Sequence, residues 1–442
     1  MTPPTAPAGS RHEPRPQPLR FVFSLVVTVV GFAPATVIAQ DADPLGEALR
    51  TNRSTLSLTA DGGLTGPGAD LLLAEGERSQ FFLVGEEHGI AEVPEVTAAL
   101  FRALRPAGYR HLAVEIGATT ADTLEGLARS PEPIDAFVEF FAAHAPGTAF
   151  FTAREDAEML IDAVRTTGGA EGTIWGLDYD ILADRYPLRR LRDLAPNDEA
   201  RRAVESAIER ADRGLARAVE ESNPMGSVMF SGPDTVFDAL VEAFGPDPDP
   251  EAARILHTLT ETVRINGHFV AGEGWESNGR RARLNKKRLA DRYREAAAAE
   301  EAPPRAVFRF GSYHMMRGRT GTNVYDIGQL AASIAELNGL ESFHLLMVGG
   351  PGTLRQQFDP RTFGWMHVPV SSIRSAGLAP LAAELAEGWT LFDLRPLRPL
   401  ADRDRLGDLD PAFEQMIWAF DAVLVLVGST PGESLPGAPW LD

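Results

Sequence analysis

The stretch Phe81–Glu95, FFLVGEEHGIAEVPE, decides how this chain folds. Four apolar residues run directly into Gly85-Glu86-Glu87-His88-Gly89. Val93, Val96, Leu100 and Leu104 then recur at helical spacing, with Pro94 near the helix start. A short continuous apolar run followed by a helix is the pattern of a strand buried on both faces of a parallel sheet. Ending such a strand on three ionisable groups is costly unless they have partners or work to do. Neighbours in an extended chain alternate faces, so Glu86 and His88 share one face. Glu87 then becomes a solvated or salt-bridging neighbour.

Six further runs of the same kind follow. They are RHLAVEIG (110–117), GTIWGLDYD (172–180), AVFRFGSYH (306–314), FHLLMVGG (343–350), WTLFDLRP (389–396) and DAVLVLVGSTP (421–431). REDAEMLIDAVRTTGG (154–169) has helical period and stops on glycines. This alternation predicts an α/β fold, a mainly parallel central sheet flanked by helices, over 81–185 and 301–442. From 186 to 300 no buried strand is legible. Two amphipathic helices, 197–222 and 247–267, predict a helical insertion that caps the sheet, and residues 40–80 form an N-terminal segment.

The totals restrict function. The 442 residues carry a formal charge of −20, which argues against nucleic acid as a partner because phosphate contacts need a basic surface. There is no cysteine, so thiolate ligands and a cysteine nucleophile are excluded. At the N-terminus, Arg11, Arg15 and Arg20 precede an apolar run from Phe21 to Phe32, and Val37-Ile38-Ala39 offers a cleavage site. Residues 1–39 read as a secretory signal. The apolar run, about a dozen residues, is too short to span about 30 Å of hydrocarbon. The expectation is a secreted or periplasmic protein without a stable membrane anchor, maturing near Gln40.

Ligands of open α/β sheets bind beyond the carboxyl ends of the strands. Those ends bring Glu86, Glu87 and His88 from the first run, Glu115 from the second, Asp178 from the third and His314 from the fourth. A G-x-x-H pattern ends at both His88 and His314. The same pattern ends at His12, His111 and His367, but none of these follows a strand that has just closed. Glu115 interrupts LAVEIG, where an unpaired carboxylate would cost several kcal/mol. No G-x-S-x-G elbow, H-E-x-x-H or P-loop is present, and MVGGPGT (347–353) reads as a tight turn. Two histidines among carboxylates suit the activation of water, by a general base or on a metal. The basic segment GRRARLNKKRLADRYR (279–294) offers Arg281 or Arg283 as a clamp for an anion or developing oxyanion.

The stretch from LVGEEHG to RHLAVEIG, IWGLDYD, the basic segment and FGSYHMMRG together resemble the erythromycin esterase-like proteins, a group related to the TraB and Tiki proteins and to ChaN-like haem-binding proteins. The resemblance covers roughly 80–183 and 279–345. It implies an exported hydrolase that cleaves an ester, lactone or amide of a small-molecule or peptide substrate. His88 would activate water, Glu86 and Glu115 would orient it, and His314 would polarise the carbonyl. The basic segment and the strand ends supply the expected substrate contacts, Arg281, Arg283 and Asp178. A Tiki-like reading implies a metal-dependent peptidase with zinc, iron or manganese on His88, Glu115 and His314, and a ChaN-like one implies haem or iron binding. The esterases write Gly-Glu-x-x-His-Gly where this chain has Gly-Glu-Glu-His-Gly. Arg292 stands where an asparagine is expected, which speaks against macrolides as the substrate.

Overall fold

All seven apolar runs become strands of one eight-stranded sheet in the computed structural model. It describes residues 43–144, 153–179, 181, 183–359, 361–370, 372–375 and 377–435. The proposed signal, 1–39, lies outside them. The strands are β1 (Arg53–Thr55), β2 (Ser79–Glu86), β3 (Tyr109–Gly117), β4 (Ile174–Asp178), β5 (Arg305–Gly311), β6 (Glu341–Gly349), β7 (Thr390–Asp393) and β8 (Ala422–Leu426). Their order is β1-β7-β8-β6-β2-β5-β3-β4. Every neighbouring pair from β8 to β4 is parallel, and β7 is antiparallel to β1 and β8. The sequence reading did not anticipate β1, three half-exposed residues on the sheet edge. Strands that short carry no apolar signal.

Alternation along β2 divides the core in two. Phe82 and Val84 face α1 (Glu92–Leu104), whose Val93, Val96, Leu100 and Leu104 are buried against the same face. Phe81 and Leu83 face the opposite side. Each such side chain contributes about 1.5–3 kcal/mol on burial. Beyond β3, α2 (Ala118–Ala128) and α3 (Arg154–Thr166) return the chain to β4 at the sheet edge.

Between β4 and β5 the described residues form helices and no strand. The longer ones are α4 (Arg185–Asp193), α5 (Asp198–Glu220), α6 (Pro250–Val270) and α7 (Gly274–Ala299). Asn197 caps α5 by accepting from the Ala200 N–H, and Asp249 caps α6 with Pro250 at its first position. Leu188, Val204, Leu256 and Val263 give this block a core of its own.

After β5, α8 (Ile327–Leu337) buries Ile327, Ala331 and Ala335 on the face opposite α1. The crossover from β2 therefore runs over one face toward β3, and the crossover from adjacent β5 runs over the other face toward β6. Opposite departures from neighbouring strands leave a crevice at the carboxyl edge. The candidate residues lie there.

Candidate active site

β2 ends on Glu86, which is buried, and His88 turns back to place Nδ1 2.7 Å from Glu86 Oε1. The turn needs Gly89. Its φ is +86°, and a Cβ there would lie 2.0 Å from the Gln356 carbonyl oxygen. The second Glu86 oxygen accepts from Arg309 Nε at 2.7 Å, and Arg309 Nη1 donates to Asp156 Oδ1 at 2.5 Å. Arg309 occupies a β5 position whose neighbours are fully buried, so this ion triad replaces hydrophobic core beneath the site.

Glu115 sits where the β3–β4 register shifts between Val114 and Gly117. Such irregularities re-aim a side chain next to functional sites. Its carboxylate is the hub. Oε2 accepts from the Gly311 N–H at 2.5 Å and faces His88 Nε2 at 3.6 Å. Oε1 accepts from Arg281 Nη2 at 2.7 Å and faces His314 Nε2 at 3.4 Å. A Cβ on Gly311 would stand 3.0 Å from His88 Nε2 and 3.3 Å from Glu115 Oε2, so no larger residue fits there undisturbed. His314 Nδ1 meets buried Asp326 Oδ2 at 2.7 Å. The His88–Glu115 separation exceeds a hydrogen bond, which leaves the His88 Nε2 lone pair unengaged when Nδ1 carries the proton toward Glu86.

Charge follows from this geometry. Burial pushes Glu115 upward, but His314, His88 and Arg281 outweigh it and hold the carboxyl well below the usual range. Burial likewise favours a neutral Glu86, and Arg309 and His88 reverse that, keeping it ionised. For His314, burial and Arg281 disfavour the cation, yet Glu115 and Asp326 carry its pKa up to about 10. His314 is therefore an imidazolium at neutral pH. Burial lowers His88 while Glu86 and Glu115 raise it, with a net upward shift. With 52 % of its side chain exposed, His88 feels these neighbours through solvent screening.

Two assigned substrate contacts change. Asp178 is fully buried and already engaged: Arg281 Nε lies 3.1 and 3.0 Å from its two oxygens, and the Tyr179 N–H donates at 2.8 Å. The Asn285 amide, turned to donate, reaches it at 3.0 Å. Asp178 thus positions Arg281 rather than meeting a ligand. Arg281 Nη1 has no hydrogen-bond partner among the described residues, so one edge of the guanidinium remains available. Arg283 is solvent-exposed on α7 and takes no part. Two residues along a helix turn about 200°, so Arg281 and Arg283 cannot share a face. Glu87 is a salt-bridging neighbour, bound by Ser372 Oγ at 2.5 Å and near Arg355.

The other histidines sit elsewhere. His111 stacks on Trp175 and bridges the Gly172 carbonyl and Glu300. His367 is exposed on a separate hairpin, Leu354–Asp359 with Gly364–Pro369. Arg309, Asp156 and Asp326 were missed by sequence reasoning. Arg309 had a signal, a cation inside AVFRFG; Asp326 was not singled out, and it also caps α8 by accepting from the Ile327 N–H.

The architecture is an α/β fold similar to that of three solved structures. A solved mutant of the erythromycin esterase EreC, in its open conformation, is 16% identical with a TM-score of 0.53, covering 83% of this chain and 94% of that one. A Bacillus cereus protein is 13% identical at TM-score 0.51, covering 88% and 98%. A succinoglycan biosynthesis protein is 12% identical at TM-score 0.52, covering 88% and 97%. No family model and no curated protein sequence matches the chain.

Proposed function

We propose that the protein is an exported hydrolase that cleaves an ester, lactone or amide with water activated by His88. The observation that carries this reading is a single carboxylate, Glu115, reached by two histidines whose other nitrogens are each held by a further carboxylate. Glu86 fixes the tautomer that leaves Nε2 as base. Water poised between His88 Nε2 and Glu115 is deprotonated as it attacks the carbonyl carbon. The imidazolium of His314 and the free edge of Arg281 then stabilise the oxyanion that forms. On collapse the leaving group departs with the proton held by His88.

A pH profile on a substrate found by an esterase and amidase screen tests this division of labour. His88 must be neutral to accept a proton, so kcat/KM should rise through a pKa above 6.5. His314 must stay charged, so the rate should fall again toward about 10. A rate flat from pH 5 to 9 would remove His88 as the base.

A metal-dependent reading has one observation in its favour. Glu115, Asp178 and His314 each offer a ligand atom within 4.8 Å of the others. Imidazole and carboxylate donors suit zinc, iron or manganese. Arg281 already bridges both carboxylates, however, so a dication there would have to displace the guanidinium. The guanidinium between the two carboxylates favours the metal-independent reading. Chelation should leave turnover unchanged; loss of activity restored by one divalent ion would reverse the assignment. A Soret band in the same purified protein would instead mark the haem-binding alternative.

A further inference from the structure

A cavity of about 260 Å³ lies between α6, α7 and the start of α2, and its wall is basic in an acidic chain. Arg254, Lys287, Arg288 and Arg292 line it, opposed by Asp291 and Glu295, with His257 between them. We propose that this cavity binds an oxyanion, a carboxylate or phosphate carried by the substrate whose bond is cut at the neighbouring site. The substrate part of this assignment rests on the hydrolase reading; the anion site does not.

Position links the two. Arg288 donates to the Asp178 carbonyl and, at 2.6 Å, to Thr258 Oγ1, so a lining cation is braced on the residue that positions Arg281. Arg281 and Arg288 are seven residues apart on α7, about 10 Å along its axis. The volume far exceeds the ~10–15 Å³ that admits one water.

The cations are held by pairs that a ligand can replace. Lys287 pairs with Asp291, and Arg292 and Arg254 share Asp122, 2.5 and 3.8 Å away. Lys287 and Arg254 are more than half exposed, and exposed pairs of this kind contribute little. An incoming oxyanion would gain charge-assisted bonds at small expense. Burial pulls His257 below its ordinary pKa; Glu261 opposes this, and Arg288, Lys287 and Arg264 add to the lowering.

Calorimetric titration of the full chain with inorganic phosphate tests the site directly. Saturable one-site binding is expected, weakened by roughly tenfold or more in the Arg254→Ala/Lys287→Ala double variant and retained in His88→Ala. Both replaced side chains are largely exposed, and circular dichroism checks that the fold is unchanged. Absence of saturable binding, or equal binding by the double variant, overturns the site. Phosphate should also compete with a carboxylate-bearing ester and leave a neutral ester unaffected; equal inhibition of both would overturn the substrate assignment. A chain that binds phosphate as described but hydrolyses no ester or amide would sink the hydrolase reading alone.

Discussion

Replacing His88 by alanine should lower turnover by about 10²- to 10⁴-fold, the range for losing a positioned general base. The expectation rests on placement. His88 Nε2 stands 3.6 Å from Glu115, beyond hydrogen-bond reach, whereas the His314 ring lies between two carboxylates that keep it charged. Stability should change little. The ring is half exposed, so its removal opens no core cavity, and Glu86 keeps Arg309 as a partner. Kinetics with circular dichroism and thermal denaturation would separate the two effects. A folded variant retaining most of its turnover would sink the proposed mechanism.

Arg309→Ala is expected to have the largest effect on stability, a loss of about 3–5 kcal/mol, because it strands Glu86 and Asp156 in the core. The pH dependence gives this prediction a sign. A carboxyl depressed in the folded state adds stability above its unfolded pKa and loses it as pH falls through the folded pKa. Glu86 is such a group only while Arg309 and His88 outweigh its burial. Without Arg309, burial raises Glu86, and Asp156, already raised by burial, rises further. The deficit should therefore be greater at pH 7 than at pH 5, where protonation relieves the buried charge. Urea unfolding at both pH values measures it. A deficit below about 1 kcal/mol, the range of an exposed pair, would show that the triad is solvated.

Much of the fold was legible because burial on both faces leaves a local record. Each strand between the helices of a parallel sheet must be apolar along its whole length, so seven short runs marked seven strands. The eighth, Arg53–Thr55, pairs only at the edge and needs no apolar character. The site was legible for a related reason. Charges are costly at the ends of such runs, so Glu86, His88, Glu115 and His314 stood out before any coordinate was known.

Partnership was not legible, since ion pairs join residues far apart in sequence through spacings that no period encodes. Arg281 meets Glu115 and Asp178 across more than a hundred positions, and Arg309 meets Asp156 across 153. The sequence alone thus determined which strands exist and which residues stand at their ends, because burial selects residue type position by position. Tertiary structure decided that Asp178 holds Arg281 instead of a ligand, that Arg283 faces solvent, and that His314 is charged. Those outcomes depend on distances of a few ångströms between separate elements, and electrostatic energy is set by such distances rather than by order along the chain.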